Sequence, residues 1–194
     1  MDEILRINNR RLPVVIGNNG STRIDLEKKC GVSLDIDSGT AEIIITSNNY
    51  YNIYTSKKII NAIARGFSPE HAFRLLNDDF SLDIVHIKDF VGKNEKRINQ
   101  IKGRVIGTEG KFKIYLENKF NCFISVFGNT VSIISRTEDI TSIREIIEVL
   151  LKGQKHTTAF KLVKIRSSGF KKRSPRPIPK TQESKGIDDI SFWS

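Results

Sequence analysis

Apolar positions along this chain follow two periods in turn, and the whole succession occurs twice. Leu34 and Ile36 alternate with Ser33, Asp35 and Asp37, the period-two pattern of a half-buried strand. Ser38-Gly39 supplies a turn and Ile43 to Ile45 a returning strand. Ser47-Asn48-Asn49 then offers a cap for a helix whose apolar positions include Ile53, Ile60 and Ile63 and which stops at Gly66. Upstream, Leu5, Ile7 and Val14 to Ile16 form a strand-like or helix-edge run broken by Pro13, and a helix with Ile24 and Leu26 among charges ends at Gly31. Ser68-Pro69-Glu70 restarts a short helix with Ser68 as cap, Pro69 at its first position and Ala72, Leu75 and Leu76 on its apolar face. Asp78-Asp79 closes that connector.

The same order follows again. Ser81 to Lys88 predicts a strand, Asn94 to Gln100 a helix with Ile98 and Ile101 inward, Phe123 to Phe127 and Val131 to Ile134 two strands around Gly128-Asn129. Glu138-Asp139 opens what reads as the final helix, with Ile140, Ile143, Ile147 and Leu150 on one face. Residues 15–44 and 105–134 align without a gap and share 11 identities in 30 positions, so the chain holds two copies of one unit. Each copy has an apolar run, G-x-x-G, a helix, two short strands and another helix. The loops are Gly17-Asn18-Asn19-Gly20 and Gly107-Thr108-Glu109-Gly110. That order is the KH module, which clamps about four unstacked nucleotides against a loop whose glycines let the phosphodiester backbone come close.

The expected fold is therefore α+β: two tandem type I KH domains, each an antiparallel three-stranded sheet with helices on one face, packed together. The expected boundaries are 1–77 for the first domain with its helical connector, 78–165 for the second, and 166–194 for a basic, proline-rich flexible tail. That tail carries Pro175, Pro177 and Pro179 among Lys171, Lys172, Arg173, Arg176 and Lys180, and its end holds Trp193 as a candidate docking motif.

Composition sharpens the reading. The net charge of +10, from 32 Lys and Arg against 22 Asp and Glu, favours a polyanionic partner. The bases Lys93, Lys96, Arg97, Lys102, Arg104, Lys111 and Lys113 face only Glu95 and Glu109 around the second loop, a local net of +5. Around the first loop Arg10, Arg11, Arg23, Lys28 and Lys29 face Asp25 and Glu27, a net of +3. The second loop sits in the stronger positive field, although Glu109 at its centre repels phosphate. The RNA-binding candidates are Arg97, Lys102, Arg104, Gly107, Thr108, Gly110, Lys111 and Lys113, with Gly17, Asn18, Asn19, Gly20 and Arg23 in the first copy.

Enzymatic readings fail on spacing. Gly107 to Lys111 is not a Walker A loop, since the first glycine of that motif is missing and Phe112 stands where Ser or Thr is required. No G-x-G-x-x-G, H-E-x-x-H or G-x-S-x-G occurs, and His71, His86 and His156 lack metal-ligand spacing. No catalytic residue, cofactor or metal is expected. Cys30 and Cys122 lack C-x-x-C partners and read as buried small hydrophobes of a reducing, cytoplasmic compartment. No apolar run approaches the ~20 residues of a membrane span, and the acidic start does not resemble a secretory signal.

Three stretches are more specific than the KH pattern: Ile59 to Leu76 through the connector, Gly103-Arg104-Val105-Ile106-Gly107 running into Gly110-Lys111, and Leu150 to His156 followed by Ala159-Phe160-Lys161. In these the chain resembles the Partner of Nob family of small-ribosomal-subunit assembly factors, relatives of the Krr-type factors. Without a long acidic N-terminal extension, the resemblance is to archaeal members. It implies a non-enzymatic factor binding single-stranded rRNA near the 3′ end of the small-subunit RNA through the second KH loop. It also implies cooperation with a Nob-type endonuclease and contact with a translation initiation factor subunit. Thr108-Glu109 departs from the basic middle residue usual in that loop. The competing expectation is a protein-interaction scaffold that docks a nuclease or initiation factor and touches RNA weakly.

Overall fold

The computed structural model describes residues 1–167; of the tail expected over 166–194, the first two residues belong to a helix and the rest, with the candidate docking motif, lies outside the described residues. Two units follow one another. The first comprises β1 (Asp2–Arg6), α1 (Leu12–Ile16), α2 (Ser21–Cys30), β2 (Ser33–Asp37), β3 (Glu42–Thr46) and α3 (Tyr50–Ala64). A connector, α4 (Pro69–Ala72) and a 3-10 turn over Phe73–Leu76, leads to β4 (Phe80–His86). The second unit continues with α5 (Lys88–Val91), α6 (Glu95–Ile106), α7 (Lys111–Phe120), β5 (Phe123–Phe127), β6 (Thr130–Arg136), α8 (Thr137–Leu151) and α9 (His156–Ser167). Each sheet is antiparallel and three-stranded, ordered β1-β3-β2 and β4-β6-β5, so the last strand of each unit lies in the middle.

The expected local signals act as their chemistry requires. Asn49 accepts a hydrogen bond from the Tyr51 amide at the head of α3, and Ser68 accepts from His71 N–H ahead of Pro69. Gly31 ends α2 in the left-handed conformation. Two expectations need correction. The apolar run Val14–Ile16, open between strand and helix edge, is helical as α1 with Val15 buried. The helix expected over Asn94–Gln100, with Ile98 and Ile101 inward as expected, runs on through Val105 to Ile106, where a strand-like run was expected before the second loop. Nor is α8 the final helix. α9 follows it, and only Ala159 and Val163 are buried along its length, which leaves almost no periodic signal in the sequence.

In the first sheet Leu34, Ile43 and Ile45 point to the helices and are fully buried, whereas the cross-strand pair Ile4–Ile44 faces out and is exposed. The second sheet is buried on both faces. Ile124, Val131 and Ile133 join the core beneath α6, α7 and α8, while Ile134, with Phe80, Leu82 and Phe123, packs into the core of the first unit beside Ala72 and Leu75. His71 stacks on Phe123 with ring centroids 3.9 Å apart, Arg74 lies over the same ring, and the Ser125 hydroxyl donates to the Arg65 carbonyl at 2.8 Å. A Cβ at Gly66 would come within 2.9 Å of Phe127 Cβ, so the end of α3 lies flush on β5. This apolar contact joins the units through a connector with no glycine or serine run, and β6 is buried over Thr130–Ser135 as a result.

Candidate nucleic-acid interface

Each G-x-x-G segment links two helices through one backbone path. Gly17 and Gly107 have φ of 77° and 76°, Gly20 and Gly110 of 78° and 73°, and the second middle residue is left-handed in both, Asn19 at 51° and Glu109 at 54°. The glycines have different duties. A Cβ on Gly17 would lie 2.6 Å from the Thr22 amide nitrogen, and one on Gly107 would lie 2.8 Å from Phe112 Cβ. The first glycine is thus required by the protein's own packing. A Cβ on Gly20 would meet nothing within 4 Å, and one on Gly110 only Ile114 Cδ1 at 3.8 Å. Those second glycines leave the outer side of the loop open for a phosphodiester backbone to approach.

α2 and α7 start at these glycines with no side-chain cap. Their first-turn amides and positive dipole ends are offered beside the loop, a suitable seat for phosphate. Ile24 and Ile114, the apolar residues one turn in, are 56% and 51% exposed rather than inward. An apolar side chain left open beside an anion-binding loop suits the face of an unstacked base. β2 and β5, each at one edge of its sheet, flank the same helices.

The predicted basic residues do not act as one field. Arg23 pairs with Glu27 at 3.3 Å, and its counterpart Lys113 with Glu117 at 3.0 Å. Both glutamates also accept a strand amide, from Leu34 and from Ile124, so these ion pairs help fasten helix to sheet. Lys111 pairs with Glu109 at 2.7 Å, both exposed at the loop, and partly cancels the repulsion expected of Glu109. The Arg104 guanidinium donates to the carbonyls of Gly153 and Gln154. Arg11 does the same for Ile63 and Phe67 in the first unit, so each arginine ties down the end of its unit's long helix. Lys102 donates to Asn99 at 3.4 Å, and Arg97, on the first turn of α6, is exposed. Asn18 and Thr108 hold matching places in the two loops.

The sequence reading missed the brace behind the second groove. Phe112 meets His156 and Phe160 edge-on at 5.5 and 5.2 Å, Tyr115 meets Phe160 at 5.1 Å, and His156 Nε2 bonds the Arg104 carbonyl at 2.8 Å. α9 thereby fixes α7 against α6 on both sides of the loop. Cys30 and Cys122 are free and buried, and burial raises both thiol pKa values, which keeps them protonated and unreactive. Among the described residues no group of three His, Cys, Asp or Glu could hold a metal, and no helix is long and apolar enough to cross a membrane.

Residues 81–168 match the model for the second KH domain of the Partner of Nob (PNO1) family, described as a eukaryotic-type KH domain of type I. A KH domain-containing protein of Methanocaldococcus jannaschii is 37% identical over 164 residues, 83% of this chain and 72% of that one. The chain belongs to the Partner of Nob family of KH-domain proteins. Among solved structures, Dim2p of Pyrococcus horikoshii is 33% identical with a TM-score of 0.78, over 85% of this chain and 99% of that one. A chain of the a/eIF2alpha–aDim2p–rRNA complex from the same organism is 32% identical with a TM-score of 0.81, over 88% and 96%. A protein of unknown function from Aeropyrum pernix superposes with a TM-score of 0.83 at 27% identity, over 87% and 92%. The two-KH architecture thus extends across archaeal relatives.

Proposed function

We propose that this protein is a non-enzymatic, cytoplasmic assembly factor of the small ribosomal subunit that binds single-stranded rRNA near its 3′ end through the second KH groove. The observation that carries this reading is the loop at Gly107–Gly110. Its outer glycine faces open space, an uncapped helix begins behind it and Ile114 stands exposed beside it. A solved relative assembled with rRNA supports the same ligand class. The partners expected on this reading are the rRNA, a translation initiation factor subunit and a Nob-type endonuclease working on the same RNA end. Crosslinking in cells followed by mapping of the bound RNA tests it. Sites should concentrate within the 3′-terminal region of small-subunit rRNA, and a spread over messenger RNAs would refute it.

One observation favours a second reading. Glu109 projects from the middle of the second loop with 72% of its side chain exposed. A carboxylate there suits a basic protein surface better than a phosphate. On that reading the unit is a docking scaffold for the nuclease or the initiation factor, and RNA contact is secondary.

A further inference from the structure

A cleft of about 350 Å³ lies where the two units meet, away from both G-x-x-G loops. It falls within the ~300–1,000 Å³ of sites that hold small ligands. The first unit contributes Arg6 from the end of β1 and Asn61 and Arg65 from the end of α3; the second contributes His86, Lys88 and Asn129. No carboxylate lines it. Among the described residues Arg6, Arg65 and Lys88 make no ion pair, although Glu42 is the cross-strand neighbour of Arg6 and Asp89 follows Lys88. The loops differ in this respect, since Arg23, Lys111 and Lys113 are each held by a glutamate and Arg104 by two carbonyls. Unpaired cations gathered around a concave space repel one another unless an anion enters. Carboxamides among them supply donors that orient phosphate oxygens.

We propose that this cleft binds the phosphate backbone of single-stranded RNA as a second contact outside both KH grooves. The inference rests on the RNA-binding reading of the second unit. β5 flanks α7 beside the groove and ends at the Gly128-Asn129 turn, which lines the cleft. A strand running along β5 therefore passes from groove to cleft. The contact reads length and not sequence, because phosphates carry no base identity.

The test compares the full chain with the triple variant Arg6→Gln, Arg65→Gln and Lys88→Gln by fluorescence anisotropy. Two single-stranded RNAs serve as probes, one of about 4 nucleotides, the length a KH groove takes, and one roughly four times longer. Circular dichroism confirms folding, and the exposed single change Lys88→Glu provides a second variant. Affinity for the long strand should fall about tenfold while the short strand changes less than about twofold, and the long-strand salt slope should become shallower by about 0.7 for each phosphate that the variant no longer neutralises. Equal losses on both lengths, or no loss on the long strand, overturn the proposal. So does binding of adenosine monophosphate that the variants abolish while the long strand is unaffected, which would make the cleft a free-nucleotide site. A wild-type chain that ignores the short strand would count against the groove reading, while the difference between variant and wild type on the long strand still scores the cleft.

Discussion

The two KH units share a backbone and differ in what surrounds it. The first sheet turns one face to solvent, with Ile4 and Ile44 exposed at its centre, whereas the second is covered on both faces, by its own helices and by the connector with the end of α3. The helices of the first loop pack on α3, with Arg11 tying α1 to its end. The second is backed by α9 through Phe112, Tyr115, His156 and Phe160. Of the two copies, the second thus has its sheet covered on both faces and its loop braced from behind, with the outer side of that loop left open. A binding loop gains from such bracing, because a groove whose walls cannot shift loses less entropy when it closes on a flexible strand.

The largest expected effect breaks this arrangement at the connector. Leu75 is fully buried between the units, and Leu75→Ala should cost about 2–5 kcal/mol in urea unfolding. If the two cores are one cooperative structure, the transition stays single and shifts as a whole. A split transition in which only one half moves would show that the units are stable separately.

Next comes the centre of the second loop. Glu109→Lys keeps the left-handed residue, so stability should hold, while the ion pair to Lys111 is removed and a cation added. RNA affinity should rise about fivefold, or about 1 kcal/mol, and the salt slope should steepen by about 0.7 or less. Unchanged RNA affinity together with loss of a protein partner would transfer the loop to the scaffold reading.

A smaller effect separates the helix ends. α2 stops at Gly31 and α7 at Asn121, both left-handed. Asn121→Gly should stabilise the chain by up to about 1 kcal/mol, since glycine carries no penalty there. The reverse change, Gly31→Asn, brings a Cβ to 2.9 Å from Asn52 Nδ2 and should destabilise. Equal and opposite effects would mean that conformation alone governs both sites.

The smallest concerns pH. Burial against the second sheet lowers the pKa of His71 from 6.5, with smaller and opposing influences from Glu70, Arg74, Glu117 and Lys113. The unfolded chain then takes up a proton first as pH falls through about 6.5, so this contribution is present above that pH and lost below it. The stability of wild type relative to His71→Gln should decline from pH 7 to 5, in thermal melts at matched ionic strength. A flat difference would show that the ring titrates as it does in water.

Much of this arrangement was legible in the residues. The alternation around Leu34 and Ile36, the caps at Asn49 and Ser68 and the stop at Gly31 are local chemistry, and each acts where its residue type predicts. α1 was ambiguous because five residues with a proline at the first turn are too few to show a period. α9 leaves almost no signal in the sequence because its buried face is two residues wide and its aromatic contacts lie with α7, 44 to 48 residues earlier in the chain. Charge counting located the basic loop and left open which cations are available. That depends on Glu27, Glu109 and Glu117 and on two carbonyls at the end of α8, partners that only the folded chain brings into place.

The central claim, that the second groove holds single-stranded rRNA, meets its most direct test in the middle pair of each loop. Thr108→Asp adds a carboxylate beside Glu109 without touching Gly107, whose replacement would strain the protein itself. Asn18→Asp makes the matching change in the first loop. Each is titrated by anisotropy with a single-stranded rRNA 3′-end oligonucleotide and with its duplex. The account predicts that wild type prefers the single strand, that about 4 neutralised phosphates give a salt slope near −3, and that Thr108→Asp weakens binding at least about tenfold, or ~1.4 kcal/mol, while Asn18→Asp costs clearly less. Equal affinity for duplex, a flat salt response, or a larger loss from Asn18→Asp would contradict it.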